Sequence, residues 1–413
     1  MVCYVKISLF RGAWHCHSER SEESQSPPLF FNLVEITCAY LRVTFRPWRG
    51  ITFAMEYFAN FTYTMVISNK TGTVEFEVNP KSFLSNFWGS LHFYTAFSLY
   101  LRGVMREDNF LYNEFGGYLR AIFGCKVQKI TIDAGFTCPN RDGKVGRGGC
   151  TFCNNQTFNP AYCHRNRSVT EQMREGISFF AHKYPDMKYL AYFQAYTNTY
   201  DSLDVLKQRY SEALAVDGCV GLVIGTRPDC MPDELLEYLA ELNRSVFVLV
   251  EYGIESTNDN TLKRINRGHD YACAVDAVQR TAAAGIPVGA HIILGLPGEG
   301  REELMRQAAE LSHLPLTTLK LHQLQVVRGT RMAEEYVENP AEFHLFAVED
   351  YIETVVDYIE RLNPGLVLER FASQSPKELL IAPDWGVKNH ELVDKVKARM
   401  RERGTWQGRL YKE

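Results

Sequence analysis

Long apolar runs are scarce in this 413-residue chain. The nearest approach to a membrane span, Ser82 to Leu101, is uncharged when His92 is neutral. Ser85, Asn86, Ser90, His92, Thr95 and Ser98 interrupt it, and polar groups in hydrocarbon are costly, so no membrane helix is expected. The start lacks a basic region followed by a clean apolar run and a small-residue cleavage site, so no secretory signal is read. An excess of one charge is also missing. The net charge of -4 gives no global positive field that would gather nucleic acid or anionic membrane. Cysteine is too sparse, at 11, for a small disulfide scaffold, and an odd count cannot pair completely within one chain. A reducing cytoplasm is the expected compartment. No internal repeat is evident beyond the alternation described below, which excludes solenoids and propellers.

Composition changes along the chain. Residues 1–104 carry about one aromatic in five, roughly twice the later frequency, with little helical or strand periodicity. Within them "WHCHSERSEESQSPPL" (Trp14 to Leu29) has the polar, Ser/Glu-biased make-up of a linker or disordered segment. Residues 1–104 are therefore expected to be atypical: disordered, or upstream of a true start at Met105, the alternative being a separate N-terminal domain. From Met105, "MREDNFLYNEFGGYLRAIFG" opens as an amphipathic helix.

Regular order begins at Lys126. "KVQKITID" (Lys126 to Asp133) predicts a strand, and Ser168 with Glu171 three residues on predicts a capping box opening "SVTEQMREGISFFAHKY" as a helix. Strand and helix then alternate through "MKYLAYFQAY", "CVGLVIGT", "SVFVLVEYGIES", "IPVGAHIILGLPG" and a sixth strand, "LTTLKLHQLQVV" (Leu316 to Val327). Near-continuous apolar strands separated by helices imply a parallel sheet with right-handed crossovers. The expected fold is α/β, a partial (β/α)6 TIM-like barrel over residues 105–327 with a C-terminal extension over 328–413. In such barrels chemistry gathers in the loops after the strands' C-terminal ends.

The loop after the first strand, "GFTCPNRDGKVGRGGCTFCNN", concentrates three cysteines among glycine and polar residues. Cys150 and Cys153 form a C-x-x-C pair, and eleven residues separate Cys138 from Cys150. Gly146, Gly148 and Gly149 would let the loop wrap a bulky inorganic object. Three thiolates leave one coordination position open, as a four-iron cluster with one unligated iron would. A rival reading closes the site: Cys163 or His164 would complete a tetrahedral zinc staple. Cys219, Cys230 and Cys273 fit small core residues, and His291, inside an apolar strand, fits a satisfied core histidine.

The loop resembles the cluster loop of the radical S-adenosylmethionine (SAM) superfamily. Its long gap before C-x-x-C is similar to the branch containing the catalytic subunit of Elongator. "YFQAYTNTY", "TRPD", "YGIES", "NRGH", "HIILGLPGE" and "SQSPKELLIAPDWGVKN" in this order resemble the bacterial YhcC/YtqA-type radical SAM proteins. The resemblance, from about Tyr112 to about Leu410, implies that Cys138, Cys150 and Cys153 hold a 4Fe-4S cluster. The cluster would chelate SAM and cleave it reductively to a 5'-deoxyadenosyl radical, with flavodoxin or ferredoxin as electron donor. Phe152 would lie beside the adenine, and Gln194, Thr197 and Asn198 would receive the methionyl amino group. Glu255 would bind a ribose hydroxyl or the amino group, and Arg267 the carboxylate in bidentate fashion. Gly295 to Gly298 would let their loop approach the adenine. The plain alternatives are a turn cap for Glu255, a surface charge for Arg267 and turn residues for Thr197 and Asn198. No side chain is assigned a catalytic role.

A tRNA base is the first substrate expected from the Elongator likeness. Too few residues follow the sixth strand for that subunit's acetyltransferase domain, so acetyl transfer is not carried over. The extension is expected to be a lid or substrate-facing element in which Arg370, Ser373 and Gln374 face the substrate or support the barrel edge. The tail "KVKARMRERGTWQGRLYKE" (Lys395 to Glu413) is either a solvated helix face or the basis of a noncatalytic RNA-binding module.

Overall fold

The computed structural model describes residues 110–157, 159–181 and 186–412, together with the backbone of four strands nearer the N-terminus. The chain divides into two compact units, Met1–Gly89 and Ser90–Glu413. In the first, β1 (Val5–Ile7), β2 (Leu33–Phe45), β3 (Phe53–Ile67) and β4 (Val74–Val78) pair antiparallel in sequence order. The run Trp14 to Leu29, the stretch Ser82 to Leu101 and Met105 lie outside the described residues. Among the described residues no helix is long and apolar enough to cross a membrane.

The second unit is built on parallel strands in register: β5 (Val127–Ile132), β6 (Lys188–Phe193), β7 (Cys219–Thr226), β8 (Phe247–Glu255), β9 (Val288–Leu294) and β10 (Thr318–Gln323). All six are where the sequence puts them. The stretch read as one sixth strand ends early, and a two-residue β11 (Val326–Val327) follows it. A seventh parallel strand, β12 (Val367–Arg370), joins beyond β10. It comes from the C-terminal extension, and four residues ending in Glu-Arg carry too little apolar pattern to be read as a strand. The short β13 (Leu380–Ala382) pairs with β11.

The helices are α1 (Phe115–Phe123), α2 (Pro139–Asp142), α3 (Val169–Ala181), α4 (Leu203–Leu214), α5 (Asp233–Leu242), α6 (Asp259–Arg264), α7 (Tyr271–Ala283), α8 (Arg301–Ser312), α9 (Arg331–Glu338), α10 (Val348–Arg361) and α11 (Asn389–Glu402), of which α3, α4, α5, α7, α8, α10 and α11 share the core with the outer face of the sheet. Helix α1 starts later than the periodicity from Met105 suggests. The capping box forms as read: Ser168 N donates to Glu171 Oε2 at 2.7 Å, and Glu171 N donates to Ser168 Oγ at 3.2 Å. Alternate strand residues such as Ile130, Phe193, Ile224, Val250, Ile292 and Leu321 share one apolar core with Met173, Tyr210, Leu239 and Ile359 of the helices. Each fully buried aliphatic chain there contributes on the order of 1.5–3 kcal/mol.

The residues between them point inward; apolar Leu190, Val223 and Leu249 are among them, but so is a charged group. Lys129, Glu251, His291, Lys320 and Glu369 meet inside the sheet. Lys129 Nζ on β5 is 2.7 Å from Glu369 Oε2 on β12, so the sheet curls until its first and last strands face each other. Helix α1 packs against both edges, with the Phe115 ring 4.4 Å below the Lys129 ammonium. The result is a half-open barrel of seven strands.

Four basic residues of the tail pair with carboxylates. Arg399 pairs with Glu353 at 2.5 Å, Arg403 with Asp357 at 2.7 Å, Lys397 with Glu114 at 2.6 Å and Arg409 with Glu360 at 3.1 Å. Helix α11 also packs on α10 and buries Leu392, Val396 and Met400, so it is not a wholly solvated face.

Candidate functional site

At the strands' C-terminal ends a cavity is lined by Cys138, Cys150 and Cys153 together with Phe152, Gln194, Thr197, Glu255 and Arg267. The cysteine loop is tightly folded. Cys138 precedes α2, whose Asn140 is fully buried and accepts from Gly149 N through its backbone oxygen at 2.8 Å. Gly149 has φ +82°, and a Cβ there would lie 2.9 Å from the Arg141 side chain, so the turn into Cys150 needs glycine. Asn140 Nδ2 donates to Asn266 O at 2.6 Å and Asn266 Nδ2 to Gly149 O at 2.8 Å, which ties the loop to the segment carrying Arg267.

Arg267 is buried, so it is no surface charge. Its Nη2 donates to Gly253 O, its Nη1 stands 3.5 Å from Cys150 Sγ, and Glu255 Oε1 is 3.9 Å away. Burial opposes the guanidinium charge, but Cys150 and Glu255 outweigh it and hold the group above its usual value. Its Nε is buried without a partner. Burial raises the Glu255 carboxyl, with Arg267 and Arg227 pulling the other way. Gly253 makes this arrangement possible, because a Cβ there would fall 2.5 Å from Glu255 Oε1 and 2.8 Å from Arg267 Nη2. Burial and the neighbouring Cys150 push the Cys153 thiol up to about 11, against the pull of Arg141. Three thiols this close resist ionising together without a cation among them.

Backbone strain collects at the same place. Among the described residues the non-glycine positions with positive φ are Tyr196, Glu255 and Asn266, and two of these line the cavity while the third precedes Arg267. Each costs on the order of 1 kcal/mol or more and persists where the surroundings over-determine it, as functional sites do.

Thr197 is almost fully buried and its Oγ1 has no partner, an acceptor facing the cavity. Asn198 is not brought to the cavity: its side-chain amide donates to Gly225 O of β7 at 2.8 Å and its backbone oxygen accepts from the Tyr210 hydroxyl of α4, while its Oδ1 is buried without a partner. Gly295 and Gly298 also lie outside the cavity lining, whereas Ile293 of the same strand end is in it. A Cβ on Gly295 would meet Phe346 at 3.0 Å, so that glycine makes room for a protein ring. Cys163 is buried beside Asp133 and does not line the cavity, and His164 is exposed. Neither residue therefore joins Cys138, Cys150 and Cys153 at the cavity as the fourth ligand that a closed zinc staple would need.

Several participants went unread in the sequence. Arg227 of the third loop grips Asp229 through two 2.8 Å bonds and donates to Arg267 O at 2.8 Å, so this loop positions the next. Arg141 donates to Cys153 O at 2.8 Å and lies 5.6 Å from the Tyr196 ring. His291 bonds Glu251 at 3.0 Å, as a satisfied histidine should, yet it lines the cavity floor with His322. The signal for this floor was a charged residue inside each of three apolar strands.

Glu299, in the fifth loop, accepts from Ser256 of the fourth. Burial lifts its carboxyl from 4.5 to about 7. The folded state therefore keeps a proton that the unfolded chain has released, and stability falls as pH rises from about 4.5 to about 7. Chemical denaturation of the parent and Glu299→Gln across that window should show the variant gaining roughly 3 kcal/mol relative to the parent by its upper end. A constant difference across the window would show that Glu299 ionises freely.

Comparison with known proteins agrees with this geometry. A family model described as the radical SAM superfamily matches residues 140–310, and one described as the radical SAM C-terminal domain matches residues 316–402. The uncharacterized protein YtqA of Bacillus subtilis (strain 168) is 38% identical over 300 residues, 73% of this chain and 92% of YtqA. The tRNA uridine(34) acetyltransferase of Methanocaldococcus infernus is 27% identical, over 49% of this chain and 39% of its own. The solved structure of archaeal Elp3 from Methanocaldococcus infernus, with its N-terminus deleted, superposes with a TM-score of 0.52 at 18% identity, covering 68% of this chain and 64% of that one. At that identity the likeness extends to the fold alone.

Proposed function

The chain belongs to the radical SAM superfamily, and from that premise we propose that Cys138, Cys150 and Cys153 hold a 4Fe-4S cluster beside a bound SAM. The observation that carries the reading is the convergence of three thiols from one loop on the cavity that Thr197, Glu255 and Arg267 also line. Soft thiolates suit an iron-sulfur centre, and a trio on one wall leaves a position for a small ligand. When bound, cluster and SAM together supply one-electron cleavage of the sulfonium and a radical that removes hydrogen from a substrate.

The protein's own part is binding and exclusion. Arg267, whose Nε has no partner, suits the SAM carboxylate, and the free Thr197 Oγ1 suits the amino group. Phe152, which packs on the small apolar cluster of Ile293 and Leu324, offers a flat face to the adenine. Glu255 is the candidate for a ribose hydroxyl. Asn198 is better read as support for this wall. Beneath them Glu251 and Lys320 are almost fully buried and close the floor with paired charges.

The substrate is proposed to be a tRNA base, a reading supported by the partial likeness to the tRNA uridine(34) acetyltransferase, with a flavodoxin or ferredoxin as reductant. Anaerobic, reduced, cluster-reconstituted protein should release 5'-deoxyadenosine from SAM, measured by liquid chromatography. No release from protein with a full iron content would overturn the enzymatic reading. Comparing modified nucleosides in tRNA from cells with and without the gene tests the substrate separately.

A further inference from the structure

The cavity has a second wall that the SAM reading leaves unused. It is made by the end of β10 and the segment after β12: His322, Gln323, Gln325, Arg370, Ser373 and Ser375. This wall is rigid. Ser373 N donates to Gln323 Oε1 at 2.9 Å and Gln323 Nε2 returns to Ser373 O at 3.0 Å, while Ser375 Oγ bonds Gln325 Oε1 at 2.8 Å.

A β-bulge decides what the wall presents. Leu319 pairs with Leu368 but Lys320 pairs with Arg370, so Glu369 is an extra residue on β12. Neighbouring strand residues ordinarily face opposite sides, and a bulge re-aims one of them. Glu369 turns inward to Lys129 and Lys320, and Arg370 still lines the cavity. The interior charges then balance unevenly. Lys129 and Lys320 are matched by Glu251 and Glu369, which leaves no carboxylate for Arg370.

The other arginines of the cavity are engaged: Arg141 with Cys153 O, Arg227 with Asp229, Arg267 with Gly253 O. Arg370 makes no ion pair among the described residues, and its Nε is buried without a hydrogen-bond partner. Its charge is felt locally, because burial first and Arg370 second hold the His322 imidazole well below its usual value, leaving that ring neutral. A guanidinium with an unused edge in a walled cavity is a ready receptor for a planar or tetrahedral oxyanion.

We propose that Arg370 anchors an anionic group of the substrate, a phosphate or a carboxylate, in the same cavity as the three cysteines. This rests on the radical SAM reading for what the anchor serves, namely to fix the substrate so that one hydrogen faces the radical. A phosphate would come from a nucleotide, a carboxylate from an organic acid.

The test is titration calorimetry of the full chain with inorganic phosphate and, separately, succinate. One of the two should bind saturably, and which one binds more tightly identifies the source. Arg370→Gln should weaken that binding by about tenfold or more, and Arg370→Lys should restore part of it, since it keeps the charge without the fork. If Arg370→Gln does not fold, Arg370→Lys against the parent decides, with a loss of affinity expected. Equal affinity in a folded variant and the parent, or no saturable binding of either ion to the parent, overturns the proposal. SAM cleavage by the parent protein is assayed alongside: its absence would count against the radical SAM reading, whereas oxyanion binding is scored without it.

Discussion

Cys150→Ala is expected to lose SAM cleavage altogether and most of its iron, whereas Cys219→Ala should keep both. Cys150 is buried at the cavity with Arg267 Nη1 3.5 Å from its sulfur, so its loss removes a proposed cluster ligand and leaves a buried guanidinium facing a void. Cys219 lies at the start of β7, where its thiol donates to Gly221 O at 3.5 Å, away from the cavity lining. Iron content, the visible absorption of anaerobic protein and release of 5'-deoxyadenosine are the readouts. Equal losses in the two variants would undo the ligand assignment, because a general fall in folding would then explain both.

Glu251→Ala should cost about 3–5 kcal/mol of stability, the usual penalty for removing one partner from a buried charge group. Glu251 is 1% exposed and accepts from Lys129 at 2.6 Å, Lys320 at 2.5 Å and His291 at 3.0 Å. Burial pushes its carboxyl up, yet the two ammonium groups outweigh that and hold it well below the usual range. The sign follows: the folded state prefers the carboxylate, so this contribution is full above the ordinary carboxyl range and is lost as pH falls from there through the depressed folded-state value. In Glu251→Ala, Lys320, itself 2% exposed, keeps Glu369 at 3.1 Å and the Tyr192 hydroxyl at 2.9 Å, too little for two lysines. Thermal unfolding should show a fall of roughly 10 °C. Replacing Glu251 and Lys320 together with methionine should recover much of the loss, since well-packed apolar pairs often match buried ion pairs. An unchanged midpoint for Glu251→Ala would mean that water reaches the floor.

Much of this was visible before any coordinates. The alternation of apolar strands with capped helices placed β5 to β10 because each strand is buried on its outer face and each helix carries a matching stripe. The cysteine loop was legible because thiols beside glycines rarely serve a core. What the sequence hid were distant partnerships. Asn198 looked like a pocket residue because it follows Thr197 at a strand end, but consecutive residues face different ways, and its amide binds Gly225 O. Arg141, Arg227 and Asn140 act through partners up to 127 residues away, which no local pattern reveals. Strand β12 was missed because it has four residues, two of them charged, and a bulge breaks its alternation.

The pairing of Lys129 with Glu369 joins residues 240 positions apart. During synthesis the first barrel strand therefore leaves the ribosome long before the last one exists, and its inward lysine must wait in water or borrow Glu251. Closure is a late event that depends on non-local contacts, the kind that slow folding and leave open sheet edges exposed to other chains. A cell making this protein quickly would place a premium on chaperones that shield the unfinished rim.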